Sequence, residues 1–457
     1  MPWIRSNVSS PISSTPRNAY LLALAAAIAA YANSFQGVFQ FDDLNVIVAT
    51  PRVHSWSAWL HAAAGGGLRP VLNLSYTFNW VTGGGNTFGF HLFNLLVHLV
   101  NVGLVYALAV RFLQRHDPAV DWRPAAVWTA LLFAVHPLHS EAVTYLCGRS
   151  TSLMTLFYLA ALWCYAQDGN RAWRLASPGL FLLAVLTKES ALLFPLALLA
   201  WEWSGRTPWR LSLKRQWPVW ALCVLATVLM LLHPGYWALM WDSAHLRDLH
   251  TSLPTQLHSG IALLGELAWP VSLNFDPDWP VLTDPSDALP QLLILTTCLA
   301  LAWRLRATRP WISLGVLWAS IHLLLPNVLF PRADIANERQ PYWADWALFL
   351  IVGAELQLGL TRRAAWMTMS VAACALTVLT LARNTVYTSE IALWEDTARK
   401  SPAKARVFNN LGFACQNAGR RVDAERAYLR ALALDPGLLK ACNNLQRLRE
   451  GNAAAKP

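Results

Sequence analysis

Eleven apolar runs, separated by short connectors that carry arginine, leave this chain few ways to fold. They lie at 20–34, 90–112, 125–137, 150–166, 176–187, 190–203, 218–233, 289–304, 311–330, 344–360 and 366–382. Only 14% of the 457 residues are charged and 55% are apolar, whereas soluble domains average about 25% charge. The predicted fold is therefore all-α, a polytopic membrane helix bundle of about eleven spans. Several runs fall short of the roughly 20 residues that a span needs, so their ends must extend into neighbouring polar residues.

The net charge of +10 does not indicate nucleic acid, because the basic residues are spread over the connectors and form no single stripe. Connectors on the starting side carry more than twice as many Arg and Lys as the opposite ones. That bias puts the amino terminus in the cytoplasm and the loop after the first run outside. A leader cleaved near Ala32 would leave the following residues on the same side. Residues 1–18 then form a cytoplasmic segment and 19–383 the membrane domain. The segment 257–273 fits the parity only as a helix lying along, or re-entering, the outer face. The cysteines form no CxxC pair and imply neither a disulfide nor a metal framework.

An odd number of spans places 384–450 outside, as a soluble helical domain. Phe408, Leu411, Gly412, Gly419, Ala424, Tyr428, Ala431 and Pro436 fit one tetratricopeptide repeat, with small residues where two helices cross and proline ending the second. A helix at 391–400 caps one end, 439–449 supplies half of another repeat, and 451–457 forms a disordered tail.

Charged residues are scarce, and those on the outer side gather at span ends. Asp42 and Asp43 directly follow the first run; as neighbouring carboxylates among aromatics they need a cation, a proton or a catalytic task, unless one merely caps a short helix. On the same side lie Arg69, His136, His139, Glu141, Arg149, Lys188, Glu189, Arg332, Glu338, Arg339 and Tyr342. Basic residues there run against the orientation bias, which favours a specific role over solvation; the alternative is pairing with headgroups or nearby acids for Arg69, Arg149 and Arg339, and an ion pair in a tight turn for Lys188-Glu189. The His-x-x-His-x-Glu stretch is interrupted by Pro137, so no metal is assigned to it. His91, Asn94, His98 and Asn101 share one helix face that must point into the bundle.

Taken in order, Phe41-Asp42-Asp43, Leu68-Arg69-Pro70, Leu74-Ser75-Tyr76, Phe90 to His98, Leu132 to Val143, Gly148-Arg149, Lys188-Glu189, Leu273-Asn274 with Asp276, Asn337-Glu338-Arg339 and Leu393-Trp394-Glu395 carry a resemblance. The chain resembles transmembrane and tetratricopeptide-repeat glycosyltransferases, related to protein O-mannosyltransferases of the glycosyltransferase C (GT-C) superfamily. It departs from them in its short repeat array and in Gln340 to Trp343. The resemblance implies an inverting transferase that moves a sugar from a polyprenyl-phosphate carrier to an acceptor hydroxyl, on an exported protein or glycan held by the repeat tail. It implies Asp42 as general base, with Asp43 orienting it, holding the acceptor or binding a cation. Arg69, Arg149, Lys188, Arg332 and Arg339 would meet the donor phosphate, supported by His136, His139, Glu141, Glu189, Glu338 and Tyr342. No cofactor other than the lipid-linked donor is called for, and a divalent cation is compatible without being required. A bacterial inner membrane, with the site in the periplasm, is the expected location. A lipid-sugar flippase and a non-enzymatic assembly factor acting through the tail are the competing classes.

Overall fold

The structure, a computed structural model, describes residues 18–167, 171–329 and 334–453. Among them there is no β-strand. Helix α1 (Leu21–Ala30) leads into the double-aspartate stretch, and α2 (Trp56–Ala64) and α3 (Pro70–Gly83) follow. The 30-residue α4 (Thr87–His116) precedes α5 (Arg123–Val135), the single-turn α6 (Ser140–Val143) and α7 (Arg149–Tyr165). Next come α8 (Arg171–Thr187), α9 (Phe194–Ser204), α10 (Trp209–Leu232), α11 (Pro234–Leu246) and α12 (Leu249–Ala268). Helices α13 (Leu289–Leu305), α14 (Pro310–Leu329), α15 (Trp346–Gly359) and α16 (Arg362–Thr385) complete the apolar set. Four polar helices close the described chain: α17 (Glu390–Lys400), α18 (Ala405–Asn417), α19 (Arg421–Leu434) and α20 (Leu439–Ala453).

Each predicted apolar run falls on a helix. Among the described residues, five helices are long and apolar enough to cross a membrane, namely α4, α10, α13, α14 and α16. The segment expected along the outer face is part of α12, which is not one of the five. At the carboxy end α20 runs through Ala453, and the rest of the expected tail, 454–457, lies outside the described residues.

Helix α5 is the axis of the bundle. Every residue from Pro124 to Val135 is buried, as expected for a helix apolar all round. Helices α1, α4, α15 and α16 pack on it. Ala23, Ala27 and Ala30 line one fully buried face of α1, and such small residues let helices approach closely inside a membrane. Gly353 of α15 meets α5 so tightly that a Cβ there would lie 2.5 Å from the Ala125 carbonyl. In contrast, α10 exposes Val224, Leu225, Leu229 and Leu232, and α13 exposes Leu293 and Trp303. Apolar surface this extensive suits contact with lipid.

Candidate active site

His136 leaves the helical conformation and Pro137 begins a short 3-10 turn, so α5 stops and the chain doubles back through α6 to α7. That reversal brings Glu141, Tyr145 and Cys147 beside the segment that follows α1. Gly148 is needed in the turn, because a Cβ there would sit 1.9 Å from the Glu141 carbonyl oxygen.

The two aspartates meet different surroundings. Asp43 is fully buried; its Oδ2 accepts the Gln40 N–H at 3.1 Å and its Oδ1 the Cys147 N–H at 2.8 Å. It thus clamps the turn to the chain before α7, and burial pushes its carboxyl up to about 7 against these hydrogen bonds. Neither aspartate side chain caps the π-helical turn Leu44–Val48 that follows. Asp42 is half-buried, and its own N–H donates to the Tyr145 hydroxyl at 3.1 Å. Burial raises its carboxyl pKa, while the Arg339 charge and the Tyr145 hydroxyl pull the other way.

Arg339 is the cation that Asp42 feels most. Its guanidinium pairs with Glu141 at 3.2 Å, and its N–H donates to the other Glu141 oxygen at 2.9 Å. Burial works against its charge, but Glu141, Tyr145, Asp42 and Asp334 together outweigh that and raise its pKa. Its neighbour Glu338 turns the opposite way, bound by two nitrogens of Arg383 at 3.0–3.2 Å. Arg383 in turn reaches Asp396 of α17 at 3.1 Å.

The remaining predicted residues separate into two groups. Arg69 forms a two-pronged pair with Glu189, both contacts 2.8 Å, and Lys188 donates to the Thr151 hydroxyl at 2.7 Å. The Arg69–Glu189 pair is partly exposed. Arg149, by contrast, is fully buried, and the expected phosphate contact is not available to it as placed. Its Nε donates to Asn94 at 2.6 Å, and its two terminal nitrogens to the Ser75 and Phe90 carbonyls, each at 3.0 Å. The rings of Tyr76, Phe90 and Phe93 lie within 4.5–5.3 Å of the guanidinium carbon. Tyr342, His136 and His139 are likewise interior: Tyr342 binds His98 at 2.8 Å and Asn101 at 3.0 Å, His136 the Leu267 carbonyl, and His139 the Asp345 carboxylate at 2.7 Å. The polar face of α4 thus points into the bundle and joins helices there. Arg332 lies outside the described residues. Among the described residues, no group of three or more His, Cys, Asp or Glu is placed to hold a metal ion.

No family model matches the chain. A Caenorhabditis elegans protein O-mannosyl-transferase, F38B6.6, is 24% identical over 443 residues, covering 91% of this chain and 62% of its own length. Mouse protein O-mannosyl-transferase TMTC3 is 25% identical over 95% of this chain and 54% of its own. Human protein O-mannosyl-transferase TMTC1 reaches 33% identity, over 168 residues that cover 34% of this chain and 18% of that protein. The chain thus spans roughly half to three-fifths of the longer-matching relatives. Among solved structures, ArnT from Cupriavidus metallidurans bound to undecaprenyl phosphate aligns with 96% of this chain and 79% of its own, at 15% identity and a TM-score of 0.46.

Several residues around Asp42 and the carboxy-terminal helices escaped the sequence reading. Tyr145 was one residue type among many in an apolar stretch. Asp276, marked in the sequence only as part of the resemblance, binds Lys404 at 2.7 Å and Arg406 at 2.6 Å, and Arg406 also binds Asp334 at 2.6 Å. Nothing in the sequence pattern singles out Arg383, Lys404 or Arg406. The low share of charged residues in the chain as a whole, 14%, was the available signal, since each buried acid needs a partner.

Proposed function

We propose that this chain is a GT-C-type membrane glycosyltransferase that moves a sugar from a polyprenyl-phosphate-linked donor to an acceptor hydroxyl, with inversion at the sugar carbon. In this reading about eleven helices cross the membrane, the amino terminus is cytoplasmic, and the site and tail face outward. The similarity to protein O-mannosyl-transferases along most of the chain supports a serine or threonine hydroxyl as acceptor. The observation that carries the proposal is the unequal treatment of the two aspartates. Asp43 spends both oxygens on backbone N–H groups, whereas Asp42 stays half-buried beside the Arg339 charge with its pKa raised.

Asp42 takes the proton from the acceptor hydroxyl as that oxygen attacks the anomeric carbon. The bond from that carbon to the carrier phosphate oxygen breaks, and the lipid phosphate leaves with the electron pair. A carboxyl raised above its usual range is better matched to a base working near neutrality. Arg339, held by Glu141, supplies fixed positive charge for the departing phosphate. Arg69 and Lys188 stand where the donor headgroup enters, each positioned by an existing partner, and Arg332 is kept as a further phosphate contact. Arg149 braces the site from behind. Helices α18 and α19 form a tetratricopeptide-like pair, with Gly412 against the Tyr428 ring, and present the acceptor.

The test is incubation of the purified full chain with polyprenyl-phosphate mannose and a serine- and threonine-rich peptide. Mass spectrometry should find the peptide heavier by one hexose. An unmodified peptide with every polyprenyl-phosphate sugar tried would remove the proposal.

A further inference from the structure

We infer that Glu390, in the first turn of α17, is a positioning residue for Asp42 and acts through the peptide N–H of Phe41. The inference rests on the proposed transferase reading and adds to it a part for the polar carboxy-terminal segment within the catalytic turn itself.

Phe41 has φ +50°, the left-handed region that aromatic residues rarely occupy. Such a conformation is strained and persists only when its surroundings enforce it. The enforcement here comes from the carboxy-terminal side of the chain. Glu390 Oε1 accepts the Phe41 N–H at 3.1 Å. The Phe41 ring sits edge-on to Trp394 at 5.1 Å and to Phe275 at 5.8 Å, and Trp394 lies one helical turn after Glu390 on the same face. One residue earlier, the Gln40 side chain donates to the Tyr387 carbonyl at 3.2 Å. The backbone that aims Asp42 is thus gripped from 387–394, more than 340 residues away in sequence.

The grip is itself anchored. Ser389 caps α17 by accepting the Ala392 N–H at 3.1 Å, Arg383 binds Asp396, and Lys400 donates to the Leu273 carbonyl at 2.7 Å. Glu390 sits at the positive end of the helix dipole, where a carboxylate is favoured. If that were its whole task, charge at this position would matter and reach would not.

Two substitutions separate the alternatives. Glu390→Gln keeps an acceptor oxygen at the same reach without the charge; Glu390→Asp keeps the charge but withdraws it by one methylene. Steady-state kinetics should show E390Q retaining about half or more of the wild-type kcat. E390D should lose about 10- to 100-fold in kcat, with KM for the lipid donor within about twofold, as expected for a misaimed catalytic group. Hydrogen exchange at the Phe41 amide should accelerate in E390D and not in E390Q. Added to Asp42→Asn, E390D should cause no further loss, since the two act as a unit. Full kcat in E390D, an equal fall in E390Q, or an additive loss in the double variant would each overturn the inference. A wild type that transfers no sugar would instead sink the transferase reading, and the Phe41 exchange rates would still decide the positioning.

Discussion

Asp42 and Asp43 are adjacent and chemically identical, yet only Asp43 has both carboxylate oxygens engaged by backbone N–H groups. Their pairing was legible in the sequence, because two carboxylates at the end of an apolar run demand an explanation. The residues alone did not divide the two, and only the resemblance set Asp42 apart as base, since the Cys147 N–H that occupies Asp43 lies 104 residues further on. A pH prediction follows from the neighbours of Asp42. Burial raises its pKa and Arg339 lowers it, and the base works only when deprotonated. The acidic limb of the rate profile should therefore lie above the ordinary carboxylate range. Arg339→Gln removes the opposing influence, so that limb should move to higher pH in a kcat profile. A limb that stays put, or falls, would mean that Arg339 does not act on the base.

At the scale of elements, the hydrophobic pattern located all five helices that are long and apolar enough to cross a membrane among the described residues, because a long run in lipid has one favourable backbone solution. It gave less warning of α2, α3 and α11, which are short and carry polar residues on more than one side. Arg149 shows what pattern alone does not reveal. It lies at the start of α7, yet its side chain ties that helix to the Ser75 carbonyl of α3 and to Asn94 and Phe90 of α4. Removing it would strand the buried Asn94 side-chain oxygen, at about 1–3 kcal/mol, and empty the space its guanidinium fills among the Tyr76, Phe90 and Phe93 rings. Arg149→Ala is thus expected to lower the melting temperature in detergent sharply, and Arg149→Lys to recover little, because an ammonium lacks the planar fork. A stable Arg149→Ala protein with weakened donor binding alone would restore the phosphate role.

Across the whole molecule, the polar carboxy-terminal helices are joined to the bundle by ion pairs on two sides, Arg383–Asp396 and Asp276 with Lys404 and Arg406. The repeat-like spacing made the helices readable, but it said nothing of the docking, which depends on charges brought together from 276, 334, 383 and 406. The proposed orientation places this segment outside. The exposed Cys442, kept as the sole cysteine, should react with a membrane-impermeant maleimide in intact cells or spheroplasts; reaction only after permeabilisation would invert the topology. The most direct test of the central claim compares wild type with Asp42→Asn, purified and matched for folding, in transfer from a polyprenyl-phosphate sugar to peptide. The rate should fall by about 100- to 10,000-fold, the contribution of a positioned general base, while the lipid donor still binds. An Asp42→Asn protein that transfers sugar at the wild-type rate would contradict the account.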